Sequence, residues 1–85
     1  MAIIEKKTLD GQGVGHTFWL DIQEYLDQTN QDELPTEVRE CLEEQASERA
    51  FEMMKEGYSM GNLCCSYFDS DTETDHEFDG WWKAN

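Results

Sequence analysis

The stretch between Pro35 and Gly57 constrains this chain more than any other. Glu37 to Glu56 contains neither Gly nor Pro, and Val38, Leu42, Ala46, Ala50 and Met53 recur every three or four residues. That spacing places all five on one stripe of an amphipathic helix of about five turns. Pro35 suits the first helical turn, where its missing N–H is not needed, and Thr36 is an alternative N-cap. Gly57, just past the last periodic residue, is the usual left-handed stop. A helix with one apolar stripe needs a surface to bury it against.

The flanking segments supply strands. Ala2 to Thr8 mixes Ile3 and Ile4 with charge and runs into Asp10-Gly11-Gln12-Gly13, a turn signal. From Val14 the chain alternates, with Val14, His16, Phe18, Leu20 and Ile22 on one face and Thr17, Trp19 and Asp21 on the other. The strand reading holds to about Ile22. Phe18, Ile22, Tyr25 and Leu26 also fall at helical spacing, so Asp21 to Gln28 stays open between strand and short helix. After Gly57, Leu63, Cys65 and Tyr67 alternate with Cys64, Ser66 and Phe68, and Phe78 to Trp82 makes a fourth strand. Asp69 to Asp75 reads as the polar tip of a long hairpin. The order is β-β-α-β-β, and residues 1–85 are expected to form a single acidic α+β domain, an antiparallel sheet with one helix packed across one face.

Charge narrows the function. Twenty Asp and Glu stand against six Lys and Arg, a formal net charge of −14 on 85 residues. Self-repulsion of that size destabilises a compact state while it favours solubility. With 38% hydrophobic and 12% aromatic residues, the chain is too apolar for a disordered acidic segment. An excess retained within a folded domain points to a partner that rewards negative charge, above all a basic surface that normally holds nucleic acid. Direct nucleic-acid binding is disfavoured, because only Lys6 and Lys7 cluster. No basic stretch followed by an apolar run opens the sequence and no segment is of membrane length, so the expectation is a cytoplasmic protein without membrane contact.

Other chemistry finds little support. Cys41, Cys64 and Cys65 are read as reduced packing residues, and Cys-x-x-Cys spacing is absent, so neither a metal site nor a cofactor is expected even with His16 and His76 present. There is no nucleophile, base and orienter set and no Gly-rich phosphate loop, which argues against an enzyme.

Two acidic arrays are the candidate contact surfaces. Glu40, Glu44, Glu48, Glu52 and Glu56 follow at intervals of four, close to Glu37, and form a ridge with one carboxylate per ~6 Å of helix. The plain alternative is a solvated helix face. Asp69, Asp71, Glu73, Asp75, Glu77 and Asp79 occupy every second position, and in an extended hairpin all six would share one face. A calcium loop is disfavoured, since Thr74 stands where the turn Gly belongs and Gly80 where the bidentate Glu belongs. Trp81 and Trp82 are adjacent, so on a strand one enters the core and the other faces away. Trp81 beside an acidic rim is a candidate interface anchor.

Glu56-Gly-Tyr-Ser-Met-Gly-Asn-Leu63, followed by an acidic spacer and Phe78-Asp-Gly-Trp-Trp82, resembles the C-terminal half of small uncharacterised proteins of phages, prophages and plasmids. Those carry Glu-Gly-Tyr-x-x-Gly-x-Leu and a Gly-Trp-Trp ending. The resemblance covers about the last third of the chain and is tied to no reaction. The motif's content is structural: Gly57 ends the helix, Gly61 turns into the third strand, and Gly80 permits close packing beside the tryptophans. It implies a mobile-element origin. Small acidic proteins of such elements resemble, in charge and size, the anti-restriction, anti-CRISPR and glycosylase-inhibitor proteins that occupy the DNA site of a host enzyme. The expected function is therefore inhibition of a host nucleic-acid-handling protein, of restriction, CRISPR or repair machinery, by charge mimicry. The alternative is a structural or adaptor protein that oligomerises, as a possible homodimer, through an aromatic sheet face.

Overall fold

Two hairpins lie side by side in one antiparallel sheet in the computed structural model, which describes residues 2–9, 13 and 15–85. The elements are β1 (Ile3–Leu9), β2 (Gly15–Asp21), α1 (Gln23–Thr29), α2 (Thr36–Lys55), β3 (Met60–Asp69) and β4 (Thr74–Ala84). The strand order is β1-β2-β4-β3, so β2 and β4 are central. Asp10 to Gln12 of the expected first turn, and Val14, lie outside the described residues.

The helix packs as its stripe requires. Val38, Leu42, Ala46 and Ala50 are buried and Met53 is half-buried, while Glu40, Glu44, Glu48 and Glu52 stand in solvent. Small Ala46 and Ala50 let α2 approach a sheet face built from Ile4, Phe18, Leu20, Leu63, Cys65, Phe78 and Trp82. Gln45 ties the helix to edge strand β3, its amide donating to the Ser66 carbonyl at 2.7 Å and accepting the Ser66 N–H at 3.1 Å. That occupies backbone groups which an unprotected edge would offer to another chain.

The ends of α2 are local decisions. Pro35 itself is the N-cap residue, with the Arg39 N–H donating to its carbonyl at 2.9 Å, so it sits neither within the first turn nor behind a Thr36 cap. At the other end Gly57 takes φ +100°, the Tyr58 N–H reaches the Met53 carbonyl at 3.1 Å, and the Gly57 N–H reaches Met54 at 3.0 Å. These paired bonds are a Schellman stop, which the left-handed glycine makes possible.

The open question at Asp21 resolves as a strand end followed by a helix. Asp21 closes β2, its Oδ1 accepts the Gln23 N–H at 3.0 Å, and α1 buries Tyr25 and Leu26. Because β2 pairs with β4 only from His16–Ala84 to Leu20–Gly80, the Thr74–Asp79 half of β4 runs on beyond β2, and Tyr25 of α1 packs beside it against Phe78 and His76. One expectation is corrected here. Gly61 is no turn but lies inside β3, where a Cβ would come within 2.9 Å of Trp82 Nε1 and 3.1 Å of Met53 Sδ. Its role is to make room for the buried indole, as Gly80 makes room for the β2 backbone at Trp19.

Candidate functional site

With α2 covering one side, the other face of the sheet is left uncovered, and period-2 alternation decides what stands on it. β2 contributes Thr17, Trp19 and Asp21. β4 contributes Asp75, Glu77, Asp79, Trp81 and Lys83; β1 adds Ile3, Glu5, Lys7 and Leu9; β3 adds Met60, Asn62, Cys64, Ser66 and Phe68.

An aromatic row crosses the middle of this face. Register aligns Glu5, Trp19, Trp81 and Asn62 across the four strands. The two indoles stack with centroids 5.7 Å apart and planes 17° from parallel, and Trp19 Nε1–H donates to Glu5 Oε2. Trp81 keeps 44% of its surface exposed, whereas Trp82 points the other way, is buried at 1%, and donates its indole N–H to Met53 Sδ at 3.1 Å. Lys7, Thr17, Lys83 and Met60 form the next row on one side of the indoles. On the other side Asp79, Glu77 and Asp75 run away along β4, opposite Cys64, Ser66 and Phe68. Their spacing is about 7 Å, from a rise of ~3.4 Å per strand residue.

The expected stripe of six hairpin carboxylates is therefore corrected to three. Ser70 to Glu73 form a turn, with Glu73 at φ +53°, and that turn breaks the alternation. Asp71 and Glu73 belong to the turn. Asp69 lies on the helix side of β3 and accepts the Asp71 N–H at 2.9 Å. Of the six, Asp75, Glu77 and Asp79 share the uncovered face with Trp81. Glu40, Glu44, Glu48 and Glu52 form the expected ridge, but on the outer side of α2, so the two acidic arrays face in opposite directions. Among the described residues the one ion pair is Lys6 Nζ to Glu43 Oε2 at 2.7 Å. No carboxylate of either array is in a contact ion pair among the described residues.

A second polar feature lies where α1 flanks β4. Glu24, Tyr25, Gln28, Asp75, His76, Glu77 and Asp79 line an open cleft of about 260 Å³, near the lower bound of small-molecule pockets. The Gln28 amide donates to Glu24 Oε1 at 3.1 Å and turns its oxygen to His76 Nδ1 at 3.2 Å. An amide oxygen only accepts, so His76 Nδ1 is the donor of this bond. Burial raises the Tyr25 hydroxyl's pKa, helped by Tyr67 and Asp69. Towards the other end of the sheet, where it pairs with Ala84 of β4, His16 is wholly buried against Phe51, Phe18 and Trp82, and burial lowers its pKa.

The cysteines are free: Cys64 exposed, Cys41 half-buried, Cys65 buried with its thiol pushed up to about 11 by desolvation. Among the described residues no group of three His, Cys, Asp or Glu converges on a metal position, and no helix is long and apolar enough to cross a membrane.

Sequence reasoning named Trp81 but passed over its neighbours. Ile3, Leu9, Met60 and Phe68 are all exposed on the same face as Trp81, and Phe68 keeps 55% of its surface in solvent. Their alternation with Ile4, Thr8, Gly61 and Tyr67 carried that signal. Compared with protein-family models, characterised proteins and solved structures, the chain matches none.

Proposed function

We propose that this protein is a non-enzymatic acidic inhibitor, carried by a phage or plasmid, that occupies the nucleic-acid site of a host restriction, CRISPR or repair protein. The observation that carries the reading is charge density. The fold is a rod of 39 × 22 × 21 Å bearing a net charge of −14, one net charge per about 2.8 Å of its length. A single DNA strand presents one per ~3.4 Å and a duplex one per ~1.7 Å, so the rod falls between them. The Asp75, Glu77 and Asp79 interval of about 7 Å corresponds to every second phosphate of a strand. Because a single ion pair is found among the described residues, this charge is available to a partner.

A second reading draws on the apolar side chains. Ile3, Leu9, Met60, Phe68 and Trp81 exposed on one sheet face suit a homo-oligomer of a structural or adaptor protein. Salt separates the two, since exposed charges are screened within about 10 Å at 0.1 M while apolar contacts survive. The experiment is capture from a bacterial lysate at low and high salt, with the captured proteins identified and assayed for nucleic-acid binding. The inhibitor reading expects a nucleic-acid-binding protein, held at low salt and released at high salt, whose own DNA or RNA binding is blocked. Capture of none, or of one equally well retained at high salt, overturns it.

A further inference from the structure

We propose that the uncovered sheet face, not the α2 ridge, seats the partner, and that it does so by stacking an arginine guanidinium on Trp81 while further basic side chains run along Asp79, Glu77 and Asp75. This rests on the proposed function only for the basic character of the partner.

The indole of Trp81 is a prepared surface. Trp19 backs it by stacking, and Trp19 is itself fixed through its N–H to Glu5, so little side-chain freedom remains to be lost when a planar cation lies on the exposed part of the ring. A guanidinium stacks on such a face, where an ammonium meets it only as a point charge. Asp79 is two residues along β4 from Trp81 and so stands about 7 Å away on the same face, with Glu77 and Asp75 continuing the line. Lys83 and Lys7 occupy the opposite side of the aromatic row, which leaves the acidic field on one side only and fixes the direction in which a basic segment lies. The α2 ridge offers carboxylates without an aromatic anchor, interleaved with Arg39, Arg49 and Lys55.

A second copy of the chain fits the face poorly. Glu5, Asp21, Asp75, Glu77 and Asp79 stand on it against Lys7 and Lys83, so two such faces bring like charge together on chains that each carry −14. The same carboxylates repel a nucleic-acid strand, which excludes base stacking on the indoles.

The probe is a synthetic peptide of four arginines alternating with serine, with its lysine counterpart, titrated at low salt into the isotope-labelled full chain. Three readouts are followed: the Trp indole N–H resonances, alkylation of Cys64, and the dependence of the Trp81 resonance on protein concentration without peptide. The arginine peptide is expected to shift Trp81 and leave buried Trp82 in place, to bind several-fold more tightly than the lysine peptide, and to shield Cys64, which lies opposite Asp79. The triple change Asp75→Asn, Glu77→Gln and Asp79→Asn should weaken binding roughly tenfold, as three exposed pairs allow. Trp81→Ala should remove the preference for arginine, Trp81→Phe should keep part of it, and Glu44→Gln, Glu48→Gln and Glu52→Gln together should change little.

Binding lost through the α2 changes, an unmoved Trp81 resonance, or equal affinity for both peptides overturns the proposal. So does a Trp81 shift with protein concentration alone, which would name a second copy as the occupant. Inhibition of a host enzyme that survives the β4 changes sinks this inference and spares the proposed function. Peptide binding at Trp81 without any nucleic-acid-binding protein captured does the reverse.

Discussion

Trp19 and Trp81, directly opposite one another on β2 and β4, stack 5.7 Å apart on the uncovered side of the sheet, while Trp82, the next residue along, is sealed beneath α2. A single dipeptide thus contributes one indole to the core and one to the surface.

These two indoles should separate stability from binding. Trp82→Ala removes a fully packed side chain and is expected to cost ~3 to 5 kcal/mol, whereas Trp81→Ala removes a half-exposed one, whose pairing with Trp19 is worth ~0.5 to 1.5 kcal/mol beyond the area it buries, and is expected to cost clearly less. Urea denaturation of both variants measures the difference. Equal losses would mean that Trp81 is a structural residue.

The α2 ridge should be a stability liability. Successive i,i+4 glutamate pairs from Glu40 to Glu56 each cost on the order of 0.2 to 0.5 kcal/mol, so Glu44→Gln, Glu48→Gln and Glu52→Gln together are expected to stabilise the fold by roughly 1 to 2 kcal/mol. Leu42→Ala, beneath the same helix and wholly buried, should cost ~2 to 5 kcal/mol. A change at Leu42 below about half a kcal/mol would place the wrong stripe inward.

Much of this was legible in the residues because two periodicities are clean. The α2 stripe and the alternation of His16, Phe18 and Leu20 each admit one orientation, and the order of elements follows. Asp21 to Gln28 was ambiguous because Ile22 closes the alternation of β2 and also falls at helical spacing with Tyr25 and Leu26. What decides it is tertiary: β2 stops where α1 can cover the overhanging half of β4. The hairpin carboxylates misled for a related reason. Their spacing in sequence is regular through Asp69, Asp71 and Glu73, but the turn there breaks the strand geometry that would have aligned them. Gly61 looked like a turn glycine because a cavity for Trp82 cannot be read from sequence.

His16 should give the protein an acid-sensitive core. Its pKa is held below the ordinary 6.5 by burial, so at pH values beneath 6.5 the unfolded chain takes up a proton that the folded chain resists. Stability should therefore fall as the pH drops from about 7 towards 5. Comparing unfolding of the native chain and His16→Phe across that range isolates the histidine. The variant should lose the decline, and identical profiles would refute the assignment.

Thiol chemistry should follow burial. Cys64 is expected to alkylate first in the native protein, Cys41 more slowly, and Cys65 only through unfolding, because its thiol pKa of about 11 leaves almost no thiolate near neutral pH. Mass spectrometry of timed samples reads the order. Early loss of Cys65 would contradict the packing of β3 against α2.

On the proposed reading, the partner recognises negative charge displayed at nucleic-acid density. The most direct test is the affinity for the captured nucleic-acid-binding protein as a function of salt, with duplex DNA or RNA as competitor. Charge mimicry requires an affinity that falls steeply and linearly in log–log form with salt concentration, and displacement of this protein by the nucleic acid. An affinity indifferent to salt, or a ternary complex in which the nucleic acid binds alongside, would contradict it.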